Sequence, residues 1–70
     1  MTTFTIYTTK SGSYIVPKDK AKLPQSVVHI WEIDSPVEIC NKKCKLPARV
    51  TKVDDLAGIV KRLVSSVKDS

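Results

Sequence analysis

The stretch "TFTIYTTKSGSYIV", residues 3–16, predicts a β-hairpin on which the rest of the chain is built. Its first half alternates, so that Phe4 and Ile6 fall on one face of a strand and Tyr7 falls on the other. The residues "KSGS" supply turn chemistry, and Gly12 can adopt the positive φ that many tight turns require. The apolar run "YIV" then resumes as the return strand, so two antiparallel strands are predicted.

Three further strands are predicted after this hairpin. The stretch "VVHIWEI", residues 27–33, is almost continuously apolar, which suits a central strand covered on both faces. The stretches "VEIC" at 37–40 and "CKLPARV" at 44–50 flank the residues "NKK" and are typical of a tight hairpin. Because Pro47 has no N–H to donate, the last of these strands is expected at an edge of the sheet.

The C-terminal segment, residues 54–68, is the clearest helix in the chain. Its apolar side chains recur at helical spacing and form one stripe: Leu56, Ile59, Val60, Leu63 and Val67. Asp54 is expected to cap the N-terminus of this helix. Gly58 inside it costs up to about 1 kcal/mol relative to alanine, which predicts close packing at that position.

Together these elements predict a single α+β domain, residues 1–70, with a β-sheet region at 1–53 and the helix at 54–68. The sheet is expected to be small, curled and antiparallel, with about five short strands that either stay open or close into a barrel, and with the helix packed on one face. A chain of 70 residues buries only about 60% of its surface and has no room for a deep cofactor cleft. The sequence therefore predicts neither an enzyme nor a cofactor.

The sheet face away from the helix is predicted to collect the aromatic side chains. If the strands pair in the simplest register, the helix covers Phe4, Ile6, Ile15, Val28 and Ile30. The opposite face then carries Tyr7, Tyr14 and Trp31, as the core of a closed barrel or as an open binding surface. Nucleic-acid bases stack on such rings, at roughly 1–3 kcal/mol for each contact, and protein interfaces use them as anchors. For Trp31 the core role is favoured, because so short a chain has little other core material.

Positive charge is concentrated in two segments of the chain. The whole chain carries 12 lysine and arginine residues and 7 acidic residues. Its net charge of +5 favours anionic partners. The stretch "CNKKCKLPARVTK", residues 40–52, contains no acid and includes Lys42, Lys43, Lys45, Arg49 and Lys52. The loop after the first hairpin adds Lys18, Lys20 and Lys22. These residues are candidates for phosphate contacts, although lysines on sheet edges also discourage aggregation.

The two cysteines, Cys40 and Cys44, are separated by three residues. Structural zinc needs four ligands, and with His29 as the single histidine no metal site is predicted. A disulfide across so short a loop would contribute about 2 kcal/mol. The sequence shows neither a signal peptide nor a membrane span, so no membrane contact is predicted. A reducing cytoplasmic location with free thiols is expected, and oxidation outside the cell is left open.

The function predicted from these features is that of a small, non-enzymatic basic binding module. It contacts nucleic acid through the 42–52 hairpin and the 18–22 loop, with Tyr7, Tyr14 or Trp31 as stacking platforms. The alternative is a regulator or inhibitor, of the size that phage and mobile-element genomes encode, that binds a host protein through its edge strand or aromatic face. Homodimerisation through that face is a variant of the alternative. Salt dependence separates the two classes, because phosphate contacts weaken steeply as salt rises.

Overall fold

The computed structural model describes residues 2–68 and shows a four-stranded antiparallel sheet followed by one long helix. The elements in chain order are β1 (Thr2–Thr9), β2 (Gly12–Pro17), a short 3₁₀ helix (Lys18–Lys20), β3 (His29–Ser35), β4 (Cys44–Lys45) and α1 (Val53–Lys68). The strands lie side by side in the order β3-β1-β2-β4. The predicted α+β class, with a small antiparallel sheet and a C-terminal helix on one face, is confirmed.

The hairpin predicted from the first stretch forms the centre of this sheet. β1 and β2 pair in register from Phe4 opposite Pro17 to Thr9 opposite Gly12. Gly12 has a φ of 141°, a conformation that L side chains rarely adopt. A Cβ at this position would also lie 3.3 Å from Cε of Lys45 on β4. Glycine is therefore favoured here by both the backbone conformation and the neighbouring strand.

The pairing of β3 with β1 turns Trp31, and not Ile30, toward the helix. Ile6, which belongs to the core under α1, lies opposite Trp31. Tyr7, on the other face, lies opposite Ile30. Paired residues share a face, so the prediction that Val28 and Ile30 lie under the helix is wrong. The side chain of Trp31 is half-buried against the core, as the favoured core role requires, but its predicted place on the face with Tyr7 and Tyr14 is wrong.

The second predicted hairpin does not form. Residues 37–40 are irregular, and only β4 remains of the strand predicted at 44–50. The Ser35 hydroxyl turns the chain at the end of β3, because its Oγ accepts from the Val37 N–H and donates to the Val37 carbonyl. Pro47 cannot extend β4, since it has no N–H for the ladder. The described chain therefore has four strands instead of about five.

The sheet stays open instead of closing into a barrel. Its two edges are β3 and β4, which do not pair with each other in the described residues. The central position predicted for the 27–33 strand is thus wrong. Its apolar run is not covered on both faces, since Val28 is 55% and Ile30 51% exposed.

The core lies between the sheet and α1. Its buried members are Phe4, Ile6, Ile15, Leu46, Val50 and Leu56. Further along the helix, Ile59, Val60 and Leu63 pack against this cluster, as the predicted apolar stripe requires. The irregular segment before the helix thus contributes to the core through Leu46 and Val50.

The helix differs from the prediction at two positions. It begins at Val53, so Asp54 lies in the first turn and does not cap it. The carboxylate still faces the positive end of the helix dipole, which is favourable. Gly58 is exposed, and a Cβ added to it would meet nothing within 4 Å beyond the backbone of its own helix and its chain neighbours. The predicted close packing at Gly58 is therefore wrong.

A ring of buried hydrogen bonds ties the segment before α1 to the first hairpin. The Val50 N–H donates to Ser13 Oγ at 2.7 Å, and the Thr8 hydroxyl donates to the Val50 carbonyl. Thr8 Oγ1 and Ser13 Oγ lie 2.7 Å apart. Because Thr8 has one hydroxyl hydrogen and uses it on Val50, Ser13 is the donor between the two hydroxyls. All three residues are at most 1% exposed, so water cannot replace these bonds. The ring therefore fixes Val50, three residues before the start of α1, against the first hairpin.

Candidate functional site

Four lysine side chains surround one pocket on the sheet face opposite α1. The pocket, called the lysine pocket below, has a volume of about 310 Å³ and is lined by Tyr7, Val16, Lys20, Lys22, Lys42 and Lys43. Tyr7 is 2% and Val16 is 5% exposed, so these two side chains form its floor. The lysines are exposed and form its rim. No acidic residue of the described chain lines the pocket.

The rim is built from two loops that are far apart in the sequence. Lys20 ends the 3₁₀ helix after β2, and the Ala21 N–H closes this turn by donating to the Lys18 carbonyl at 3.3 Å. The Lys20 ammonium donates to the Asn41 carbonyl at 3.0 Å. This bond joins the 18–22 loop to residues 41–43, called the NKK loop below. The two lysine segments predicted from the sequence therefore meet at one site.

Both ends of the NKK loop are anchored at a single residue of β2. Cys44 lies opposite Ile15 in the ladder between β2 and β4. The Cys40 thiol donates to the Ile15 carbonyl at 3.8 Å. Both cysteines pack against the core under the helix, whereas Lys42 and Lys43 line the pocket on the other face. The loop therefore crosses the sheet edge, with its anchors on one face and its charges on the other.

Two tyrosines and one lysine form a stack beside the pocket. The rings of Tyr7 and Tyr14 are 5.3 Å apart and inclined by 28°. The Lys43 ammonium lies 5.3 Å from the centre of the Tyr14 ring, within the range of a cation–π contact. Burial, and to a smaller extent Tyr14, raises the pKa of Tyr7, which keeps its hydroxyl neutral. Since Tyr7 is buried, the half-buried Tyr14 is the ring that a ligand can reach.

Two acidic residues of this sheet face lie on β3, on the far side of β1, and Asp19 lies beside Lys20 in the 3₁₀ helix. Glu32 forms an ion pair with Lys18 at 3.5 Å, and Asp34 accepts a bond from the Thr3 hydroxyl at 2.8 Å. The pair of Lys18 and Glu32 is the one salt bridge found among residues 2–68. The four rim lysines thus have no carboxylate partner in the described part of the chain. Their positive charge is available to an anion from solution.

The structure brings together six of the eleven residues predicted as a binding site, namely Tyr7, Tyr14, Lys20, Lys22, Lys42 and Lys43. Lys45 lies opposite Tyr14 and so on the same face, next to the pocket but not in its lining. Val16 and Asn41 belong to the site and were not predicted. Strand alternation places Val16 on the same face as Tyr14, so Val16 could have been predicted. Nothing in the sequence indicates that the Asn41 carbonyl accepts a bond from Lys20.

The other four predicted residues lie elsewhere. Lys18 is paired with Glu32, and Trp31 packs against the core on the helix face. Arg49 lines a separate groove beside α1, together with Asp54, Asp55 and Arg62. Lys52 directly precedes the helix, where its carbonyl accepts a bond from the Leu56 N–H.

Neither a metal-ligand cluster nor a membrane-spanning helix occurs among the described residues. Among residues 2–68, no three His, Cys, Asp or Glu side chains are grouped as a metal ion would need. The ring of His29 stacks on Trp31 at 5.3 Å. In the same part of the chain, no helix combines the length and the apolar character needed to span a bilayer. Comparisons with protein families, curated proteins and solved structures found no match to this chain.

Proposed function

We propose that this chain is a small, non-enzymatic module that binds single-stranded nucleic acid at the lysine pocket. The observation that carries the proposal is the convergence of Lys20, Lys22, Lys42 and Lys43 from two separate loops, with no carboxylate among them. Such a cluster attracts phosphates, and none of these lysines has to leave a carboxylate of the described chain in order to bind one. A cytoplasmic location is part of this proposal.

The preference for a single strand comes from Tyr14. Its ring is half-exposed and lies directly beside the rim, under the Lys43 ammonium. An unpaired base can displace this ammonium and stack on the ring, whereas the bases of a duplex are already stacked on each other. Each such stack contributes roughly 1–3 kcal/mol and tolerates any base. Binding is therefore expected to depend on charge and strandedness and only weakly on sequence.

The test is a titration of labelled oligonucleotides, single-stranded and duplex, followed by fluorescence anisotropy at several salt concentrations. Four phosphate contacts predict a log–log slope of about −3 for the single strand, which is a loss of about 50-fold between about 50 and about 200 mM salt. The intrinsic fluorescence of Trp31 should stay unchanged, because its ring lies on the helix face. Absence of binding at low salt, or binding that ignores salt, rejects the proposal.

A second candidate is a protein partner that adds a strand to β3. The observation that favours it is the free outer edge of this seven-residue strand, with Ile30 and Val28 exposed beside it. The partner is either a host protein or, in the simplest case, a second copy of the chain. Sedimentation equilibrium tests the second copy, since a dimer that Ile30→Lys returns to monomer supports edge pairing. A wild-type chain that stays monomeric excludes the homodimer.

A further inference from the structure

The two cysteines that anchor the NKK loop are also neighbours of each other. Both meet at Ile15, Cys44 as its ladder partner and Cys40 through a contact with its carbonyl oxygen. Both thiols are free and half-buried. Three exposed residues separate them, and two of these are the rim lysines Lys42 and Lys43. A bond between the two sulfurs would thus close a ring that contains half of the rim.

We propose that Cys40 and Cys44 are a reversible thiol–disulfide site, oxidised by exchange with a low-molecular-weight disulfide such as oxidised glutathione, and that the bond locks the NKK loop. The lysines beside Cys44 attract this anionic oxidant to the loop. The site is independent of the proposed nucleic-acid binding. Its consequence for the lysine pocket rests on that proposal.

The environment of the thiols sets the order of the two exchange steps. Burial, together with the neighbouring Cys44 thiol, raises the pKa of Cys40 to about 11, while the Lys42 backbone lowers it in part. Cys40 is therefore a poor first nucleophile, because the thiolate is the reacting form. The Cys44 sulfur contacts the Lys42 carbonyl at 3.4 Å at the protein surface, where an external disulfide can reach it. Cys44 is accordingly the thiol that attacks first.

The chemistry balances in two steps. The Cys44 thiolate attacks one sulfur of oxidised glutathione, which forms a mixed disulfide and releases one glutathione thiolate. Cys40 then loses its proton to solvent and attacks the Cys44 sulfur, which forms the internal bond and releases the second glutathione. Two protein thiols are oxidised, and one glutathione disulfide is reduced to two thiols. Excess reduced glutathione reverses both steps and reduces the internal disulfide to two thiols.

A disulfide between Cys40 and Cys44 should restrict the positions that the Lys42 and Lys43 side chains can take. In the described structure, the loop backbone is held from outside by the Lys20 bond to Asn41, and it forms no part of a strand. A covalent ring restricts the backbone at both lysines in the folded and the unfolded chain. If the lysine pocket binds nucleic acid, a pre-ordered rim should bind it more tightly, by about 3- to 10-fold.

The experiment incubates the full chain in buffers of varied glutathione redox ratio and traps the free thiols by alkylation for mass analysis. The expected product is an internal disulfide that dithiothreitol reverses, with a melting temperature raised by about 10 °C. Cys40→Ser should accumulate a mixed disulfide at Cys44, whereas Cys44→Ser should react far more slowly. Trypsin should cleave after Lys42 and Lys43 at least several-fold more slowly in the oxidised chain, with cleavage after Lys22 as the reference.

Two results overturn the proposal. One is that the folded wild-type chain collects two glutathiones, or none, and forms no internal bond. The other is that the bond forms but trypsin cleaves after Lys42 and Lys43 at the same rate as in the reduced chain. Because neither readout involves an oligonucleotide, failure here is distinguishable from failure of nucleic-acid binding.

Discussion

Replacing Lys42 and Lys43 together by glutamate is expected to weaken binding of a single-stranded oligonucleotide by about 100-fold, or about 1.4 kcal/mol for each lysine. The double variant removes half of the ammonium groups on the rim and places two carboxylates there instead. It also removes the Lys43 ammonium from the Tyr14 ring. The salt slope should fall from about −3 to about −1.5, because two of four phosphate contacts are lost. Fluorescence anisotropy at several salt concentrations measures both quantities.

The matched control is the double variant Arg49→Glu and Lys52→Glu. It changes the net charge by the same amount and lies in the same basic stretch of sequence, but neither residue lines the pocket. We expect the control to lose at most about 3-fold in affinity at near-physiological salt, since distant exposed charges are screened. Both variants must first show the circular dichroism spectrum of the wild type. Equal losses in the two variants would mean that net charge, and not the lysine pocket, drives binding.

Replacing Ser13 by alanine is expected to lower the free energy of unfolding by about 2–3 kcal/mol. The substitution leaves the Val50 N–H without its acceptor and Thr8 Oγ1 without its donor, in a region where these residues are at most 1% exposed. A chain of this length has a total stability of roughly 4–10 kcal/mol, so the loss is a large fraction of it. With a urea slope of about 1 kcal/mol per M, the unfolding midpoint should fall by about 2–3 M.

The control for this prediction is Ser11→Ala in the same hairpin. The Ser11 hydroxyl also makes hydrogen bonds, to Thr9 Oγ1 at 3.0 Å and to the Tyr14 hydroxyl at 3.2 Å, but the residue is exposed and water can replace them. Its effect should stay within about 0.5 kcal/mol. If Ser13→Ala were as mild as Ser11→Ala, the buried ring would not hold the segment before the helix.

The parts of the fold that follow from local pattern were predictable. The first hairpin has alternating side chains and a glycine where a positive φ is needed, and the helix has an apolar stripe at helical spacing. The face of β3 was not predictable in the same way, because Val28 and Ile30 are as apolar as Trp31 and Ile33. Only the long-range pairing with β1, which sets Ile6 opposite Trp31, decides which of them is buried.

The basic residues of the candidate site could be identified from the sequence, but their arrangement in space could not. The basic residues of both segments were identified, and four of them line the pocket. The pocket lysines are separated from Arg49 and Lys52 because the intervening segment packs into the core. Its residues Leu46 and Val50 are buried on the helix face of the sheet. That burial replaces the second hairpin, which would have kept all five basic side chains of the 40–52 stretch on one projecting element.

The most direct test of nucleic-acid binding at the lysine pocket is an amide NMR titration of the isotope-labelled chain with a single-stranded oligonucleotide at low salt. Binding at the lysine pocket predicts shifts that cluster at residues 20–22 and 41–45 and at Tyr14, on two loops and two strands that meet only in the folded structure. The amides of residues 49–62 should stay unchanged. Shifts centred on Arg49 and Lys52, or spread evenly over every lysine, would contradict the account.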